Sequence, residues 1–350
     1  MTNIKYILEK NNRGESIISD ESLEFFWTSE DISIRSKENK LIFYNIQEDV
    51  PVNANSIHIV GVPYSSGSNH NNSSVEQFPH TLRYLSTKTP IYPSLNDLYT
   101  SGILDLNNEK ILHDCVLNDL GDITFVEQSK QELESKLNTY IDHFCSTESQ
   151  FSFIGGDHSI TYYILKQLKE NGKNIIYIHF DAHLDCGSDP LRLDVEVDHG
   201  NFVRHLIQDQ IVEHVVQLGV RGLRSLGQYY EHTNLSYISS QKLNVNSVKK
   251  AIEPLLNKNS YFYISFDVDV LDPTIFPYVD FPSSGGASIE QIFEVLQMFQ
   301  SVPNIIGFDV VEGQGANTDH IPYQYDVIIN IFSQLLNVLN KSKNIINGGE

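Results

Sequence analysis

The sequence predicts an α/β protein with a mainly parallel sheet covered by helices on both faces. From Ser56 onward, short β-branched or aromatic runs that end at Gly, Asp or His alternate with stretches of helical periodicity, the pattern of β/α units. Runs such as IIYIHF at 175–180 and YFYISF at 261–266 are apolar nearly throughout, as strands covered on both faces must be.

Residues 1–55 mix charges with Asn and Ser and read as an N-terminal extension. Residues 56–345 read as one α/β catalytic domain, because no linker composition divides them. In chain order, strands are expected at Ile57–Gly61 and Val116–Leu120, followed by a helix at Gln131–Phe144. Next come a strand at Phe151–Ile154, a helix at Thr161–Glu170, and strands at Ile175–Phe180 and Val215–Gly219. A helix at Val248–Leu256 precedes the strand Tyr261–Phe266, and a helix at Ile289–Phe299 precedes the strand Ile305–Val310. A last helix is expected at Tyr325–Leu339. Each strand is rich in residues that fit a pleated surface, and each helix spaces its apolar residues three and four apart.

Charge and cysteine content narrow the function classes. The chain carries 24 Lys and Arg against 45 Asp and Glu, a net charge of −21, which repels phosphate backbones and anionic lipid and favours approach of a cation. Nucleic acid and membrane are therefore excluded as expected partners. Cys115, Cys145 and Cys186 show no C-x-x-C spacing, so neither a disulfide framework nor a thiolate zinc site is expected. With no apolar signal segment at Met1–Asp20 and no run of about 18 apolar residues, a soluble cytoplasmic protein is expected.

In open α/β sheets ligands bind beyond the carboxyl ends of the strands. There the chain places Gly155-Gly156-Asp157-His158-Ser159, then Asp181-Ala182-His183-Leu184-Asp185, Asp267-Val268-Asp269 and Glu312. Alternation along an extended chain would send Asp181, His183 and Asp185 to one side, and Asp267 and Asp269 likewise. Carboxylates gathered so closely cannot all stay ionised unless cations compensate. Two divalent ions match four Asp charges, and carboxylate with imidazole is a hard-metal donor set. The reaction class this implies is metal-assisted hydrolysis. Asp157 and Asp272 are expected to serve turns and caps instead.

GGDHS at 155–159, DAHLD at 181–185 and SFDVDVLDP at 265–273 resemble the signature segments of the ureohydrolase superfamily, the arginases, agmatinases and related amidinohydrolases. The resemblance runs over about residues 56–340 and includes Gly61-Val62-Pro63, Leu120-Gly121-Asp122 and Val220-Arg221-Gly222. It implies a three-layer α/β/α fold and two Mn²⁺ ions, with nickel or another divalent ion compatible, that hydrolyse a guanidino group to urea and an amine. By resemblance, His158, Asp181, Asp185 and Asp267 hold one ion. Asp181, His183, Asp267 and Asp269 hold the other, and Asp269 also helps to hold the nucleophile.

Glu312 stands where the family places the guanidinium partner, and His199, in VDHGNF, matches a histidine near the substrate that moves a proton or orients it. That loop is similar to the agmatinase-like branch, whereas arginases carry Ser and Asn there. The chain departs from its relatives at Gly313-Gln314-Gly315 and at Thr274–Tyr278, both bordering the expected pocket. Hydrolysis of a formimino group, as in formimidoylglutamase, and arginase activity are the alternatives. Metal-dependent deacylases usually pair histidines in the segment where this chain has His158 alone, and a non-catalytic relative would have lost ligands. Trimers or hexamers are the homo-oligomers the resemblance implies.

Overall fold

The computed structural model describes residue 43 and residues 56–68, 73–88, 103–105, 110–112, 116–187, 196–223, 230–256, 259–317 and 320–347. The expected N-terminal extension, residues 1–55, lies outside the described residues apart from Phe43. That residue is fully buried, donates its N–H to Asp119 Oδ2 at 2.9 Å and stacks on Phe332.

In chain order the strands and helices are β1 Ser56–Val62, α1 Phe78–Ser86, β2 Ile103–Asp105, β3 Lys110–Leu112, β4 Val116–Asp122 and α2 Lys130–Ser146. They continue as β5 Gln150–Gly155, α3 Ile160–Glu170, β6 Asn174–Phe180, α4 Phe202–Gln208, β7 His214–Val220 and β8 Leu235–Ser239. The last are α5 Val245–Ile252, β9 Ser260–Asp267, α6 Ile289–Phe299, β10 Ile305–Val311 and α7 Tyr325–Asn347.

Among the described residues, eight strands form one sheet in the order β4-β1-β5-β10-β9-β6-β7-β8, all paired parallel, while β2 and β3 pair antiparallel. Pleating divides the core into two layers. Ile176, Ile178, Phe180, Phe262, Ile264 and Phe266 pack with α1, α5, α6 and α7. Tyr177 and Tyr263, pointing the other way, pack with α2, α3 and α4. The result is the expected three-layer α/β/α sandwich.

All the expected strands and helices form, Ile289–Phe299 with the expected ends and the others with ends shifted. The helix expected at Val248–Leu256 instead begins at Val245, capped by Asn244, and gives way at Ile252 to a tight 3₁₀ turn containing Pro254, since proline lacks the N–H a helix interior needs. Helices α1 and α4 and strands β2, β3 and β8 were not expected. β8 is a half-exposed edge, so it carries no apolar run to mark it, and α4 is only 7 residues long. No helix among the described residues is long and apolar enough to cross a membrane.

Candidate metal centre

The site lies where β5, β6, β9 and β10 end. Gly156 follows β5 so closely against the Tyr64 backbone that an added Cβ would collide with the Tyr64 carbonyl, which requires glycine there. This packing brings the turn of Asp157 and His158 beneath Glu312, whose N–H donates to Gly156 O at 3.0 Å.

The expectation that strand alternation aims the aspartates is corrected. β6 ends at Phe180 and β9 at Asp267, so Asp181, His183 and Asp185 lie in a turn and Asp269 lies in the 3₁₀ turn Val268–Val270. Turn hydrogen bonds do the aiming: Asp267 Oδ1 accepts from Asp269 N–H at 2.8 Å, and Asp269 Oδ1 accepts from Ala182 N–H at 3.0 Å. Asp185 at φ 48° and Glu312 at φ 64° hold left-handed backbone without being glycine, a strain of about 1–3 kcal/mol each that persists at functional sites.

The side chains do converge. His158 Nδ1 lies 3.1 Å from Asp267 Oδ2, 3.2 Å from Asp181 Oδ2 and 3.4 Å from Asp185 Oδ2. His183 Nδ1 lies 2.8 Å from Asp269 Oδ2 and 3.4 Å from Asp181 Oδ1. Asp181 therefore turns one oxygen to each imidazole, the arrangement of a bridging carboxylate. Among the described residues, two groups have donor atoms close enough to share an ion: His158, His179, Asp181 and Asp185; and Asp181, His183 and Asp269.

The donors fit divalent ions in tautomer as well as type. Ser265 Oγ donates to Asp309 Oδ1 and stands 2.8 Å from His158 Nε2. That hydroxyl can then accept only from an Nε2–H, so Nδ1, facing the carboxylates, is the nitrogen that offers a lone pair once an ion displaces its proton. Asp309, fully buried, also accepts from Thr161 at 2.9 Å and Tyr263 at 3.0 Å.

The electrostatics of the metal-free cluster follow from crowding. Burial and the neighbouring carboxylates push the Asp267, Asp185 and Asp269 carboxyls up. For Asp181, burial acts upward, but the imidazoles of His179, His158 and His183 hold it well below the usual range. For His158 and His183, burial acts downward and is outweighed by the aspartates, so His158 rises and His183 reaches about 12. Both imidazoles thus hold protons at neutral pH that an ion must displace. Loading the metal-free protein with Mn²⁺ in unbuffered solution should release protons, and apparent affinity should rise from about pH 6 to 9. A pH-stat record flat through the titration would contradict this.

His199 and Glu312 lie side by side. Glu312 Oε1 accepts from His158 N–H at 2.7 Å and lies 3.2 Å from His199 Nδ1. Burial lowers His199's proton affinity, but the Glu312 carboxylate outweighs it and raises the pKa to about 9. His199 N–H donates to Gly67 O at 3.1 Å, and Gly67 N–H donates to Asp157 Oδ2 at 2.7 Å. Asp157 is thus a turn residue that ties the His199 loop to the β5 turn. Asp272 also serves a turn, accepting from Thr274, Gly285 and Gly286 N–H.

The unusual Gly313-Gln314-Gly315 has a packing reason. A Cβ at Gly313 would meet the Phe78 ring. Gln314 N–H donates to Tyr278 O at 2.9 Å and its side chain to Asp280 Oδ1 at 2.8 Å. The Tyr278–Phe281 loop is thereby tied to the segment after β10, and the half-exposed Phe281 ring lies 5.6 Å from that of His199. His179 has no assigned role in the sequence, and Arg221 enters there only within the Val220-Arg221-Gly222 segment of the resemblance. His179 could have been seen as an imidazole inside the apolar run IIYIHF. Arg221 braces Asp269, Val270, Leu271 and Ser283 through their carbonyls, a role that no spacing reveals.

Fold and site define a class, the three-layer α/β/α proteins of arginase-like fold with carboxylates and imidazoles gathered at the carboxyl edge of the sheet. The chain belongs to the arginase family, whose model matches residues 55–319. Among relatives, the agmatinase of Blochmanniella floridana is 27% identical over 198 residues, 55% of this chain. That match spans only 62% of the relative, less than two-thirds of its length. The formimidoylglutamase of Bacillus subtilis superposes with a TM-score of 0.71 at 21% identity, over 87% of this chain and 94% of that one. The Trypanosoma cruzi formiminoglutamase with Mn²⁺ gives 0.64 at 20%, over 81% and 93%.

Proposed function

We propose that the protein is a binuclear metal-dependent amidinohydrolase of agmatinase type, cleaving a guanidino carbon–nitrogen bond to give urea and an amine. The observation that carries this reading is Asp181, whose two oxygens face His158 and His183 separately. His158, Asp181, Asp185 and Asp267 would hold one ion; Asp181, His183, Asp267 and Asp269 would hold the second. Bound there, manganese supplies Lewis acidity and lowers the pKa of water towards neutrality.

The chain's own residues do the rest. Glu312, 6% exposed, offers a carboxylate that pairs with a planar cationic guanidinium and sets its carbon in place. His199 holds Glu312 through Nδ1, so Nε2 is the atom free to hand a proton to the departing amine, a step worth about 10²–10⁴-fold. The net charge of −21 suits a cationic substrate.

Product analysis tests the reading. Manganese-loaded protein should release urea from agmatine in a panel that includes arginine, guanidinobutyrate, guanidinopropionate and free guanidine. Formamide from formiminoglutamate with no urea from any guanidino compound would move the assignment to the formimino branch. Turnover of neither would end the hydrolase reading.

A further inference from the structure

Gln217 on β7, His179 on β6, Ser265 on β9 and Asp309 on β10 stand in register across four neighbouring strands. All are fully buried on the α2–α3–α4 side of the sheet, where polar groups are costly unless their hydrogen bonds are used. Ser265 and Asp309 are accounted for by His158. Gln217 and His179 have no part in the proposed reaction.

Their hydrogen bonds run in one direction. Gln217 Nε2 lies 2.7 Å from the Leu184 carbonyl and 3.0 Å from His179 Nδ1. A carbonyl only accepts, so the amide NH₂ faces Leu184 and its second hydrogen goes to Nδ1. A ring nitrogen that accepts leaves the imidazole proton on Nε2, which donates to Asp181 Oδ2 across 2.7 Å. Tyr177, stacked at 5.3 Å, and Phe202, edge-on at 5.8 Å, hold the ring plane.

By distance alone His179 belongs among the candidate ligands, beside His158, Asp181 and Asp185. A protonated Nε2, however, has no lone pair to offer an ion. We infer that His179, oriented by Gln217, is a positioning residue: it holds Oδ2 of Asp181 in the direction that lets this carboxylate bridge two divalent ions, and is not itself a ligand. The inference rests on the metal reading above.

The test is calorimetric titration of metal-free protein with Mn²⁺, with electron paramagnetic resonance of the loaded protein as a second readout. His179→Phe keeps the ring and removes the donor; His179→Gln restores a donor near the Nε2 position. His179→Phe should bind Mn²⁺ about 10–100-fold more weakly and alter the spin-coupled signal, while His179→Gln recovers most of the affinity. If His179→Phe does not fold, Gln217→Leu serves in its place, since loss of the amide donor frees the tautomer.

Long-range ¹H–¹⁵N spectra of the unaltered metal-free protein should show His179 with a bare Nδ1 and a protonated Nε2. Unchanged Mn²⁺ affinity and signal in the variants, or a protonated Nδ1, would overturn the inference while leaving the metal centre standing. Absence of Mn²⁺ uptake by the unaltered protein would overturn the metal reading and this inference together.

Discussion

Replacing Asp181 with Ala should cost the protein both of its proposed metal ions. Its two oxygens face different imidazoles, Oδ2 towards His158 and Oδ1 towards His183, so one substitution removes a donor from each half of the cluster. Bound metal, measured by elemental analysis after Mn²⁺ loading and gel filtration, should fall from about two ions per chain to fewer than one. Urea release should drop at least about a thousandfold, because the several kcal/mol by which metal activation lowers the barrier is lost with the ions. The fold should survive: Asp181 lies past the end of β6, and its removal relieves crowding among Asp267, Asp185 and Asp269, whose carboxyls it pushes up. Two tightly held ions in Asp181→Ala would sink the bridging assignment.

Glu312→Gln should do the opposite, keeping both ions and losing the substrate. Glutamine retains an oxygen where Oε1 accepts the His158 N–H, so the turn that aims His158 is preserved and metal content should match the unaltered protein. What disappears is the negative charge opposite the guanidinium. Truncating one partner of a buried charged pair costs about 2–5 kcal/mol, or about 30- to several-thousandfold in kcat/KM.

The same change predicts a titration shift in the metal-free protein. Glu312 raises His199 to about 9, so the stability this pair adds is complete below the unfolded value of about 6.5 and disappears as pH rises through about 9. In Glu312→Gln the His199 titration, followed by NMR, should move down towards the ordinary histidine value. Unaltered kinetics would remove Glu312 from the substrate site.

Much of this molecule is legible in its sequence for a definite reason. Buried parallel strands must be apolar, so runs such as IIYIHF announce themselves, and residues that interrupt them at their carboxyl ends stand out. His158, Asp181, His183, Asp185, Asp267, Asp269 and Glu312 stand at or just beyond such ends, and His199 was named by the family resemblance alone. Pairing partners are a different matter. That Gln217, His179, Ser265 and Asp309 form one polar row depends on β6 lying between β7 and β9, with β10 next to β9, and strand order is not written in local periodicity.

The sequence by itself determined the fold class, the acidic character and the identity of the groups gathered at the sheet's edge, because burial and charge act residue by residue. Only the tertiary structure decided how those groups are aimed. Turns rather than pleats direct the aspartates, and hydrogen bonds between strands distant in the chain set which imidazole nitrogen carries the proton. Such contacts depend on the relative placement of segments far apart in the chain, 154 residues for His158 and Glu312, a property that no local pattern encodes.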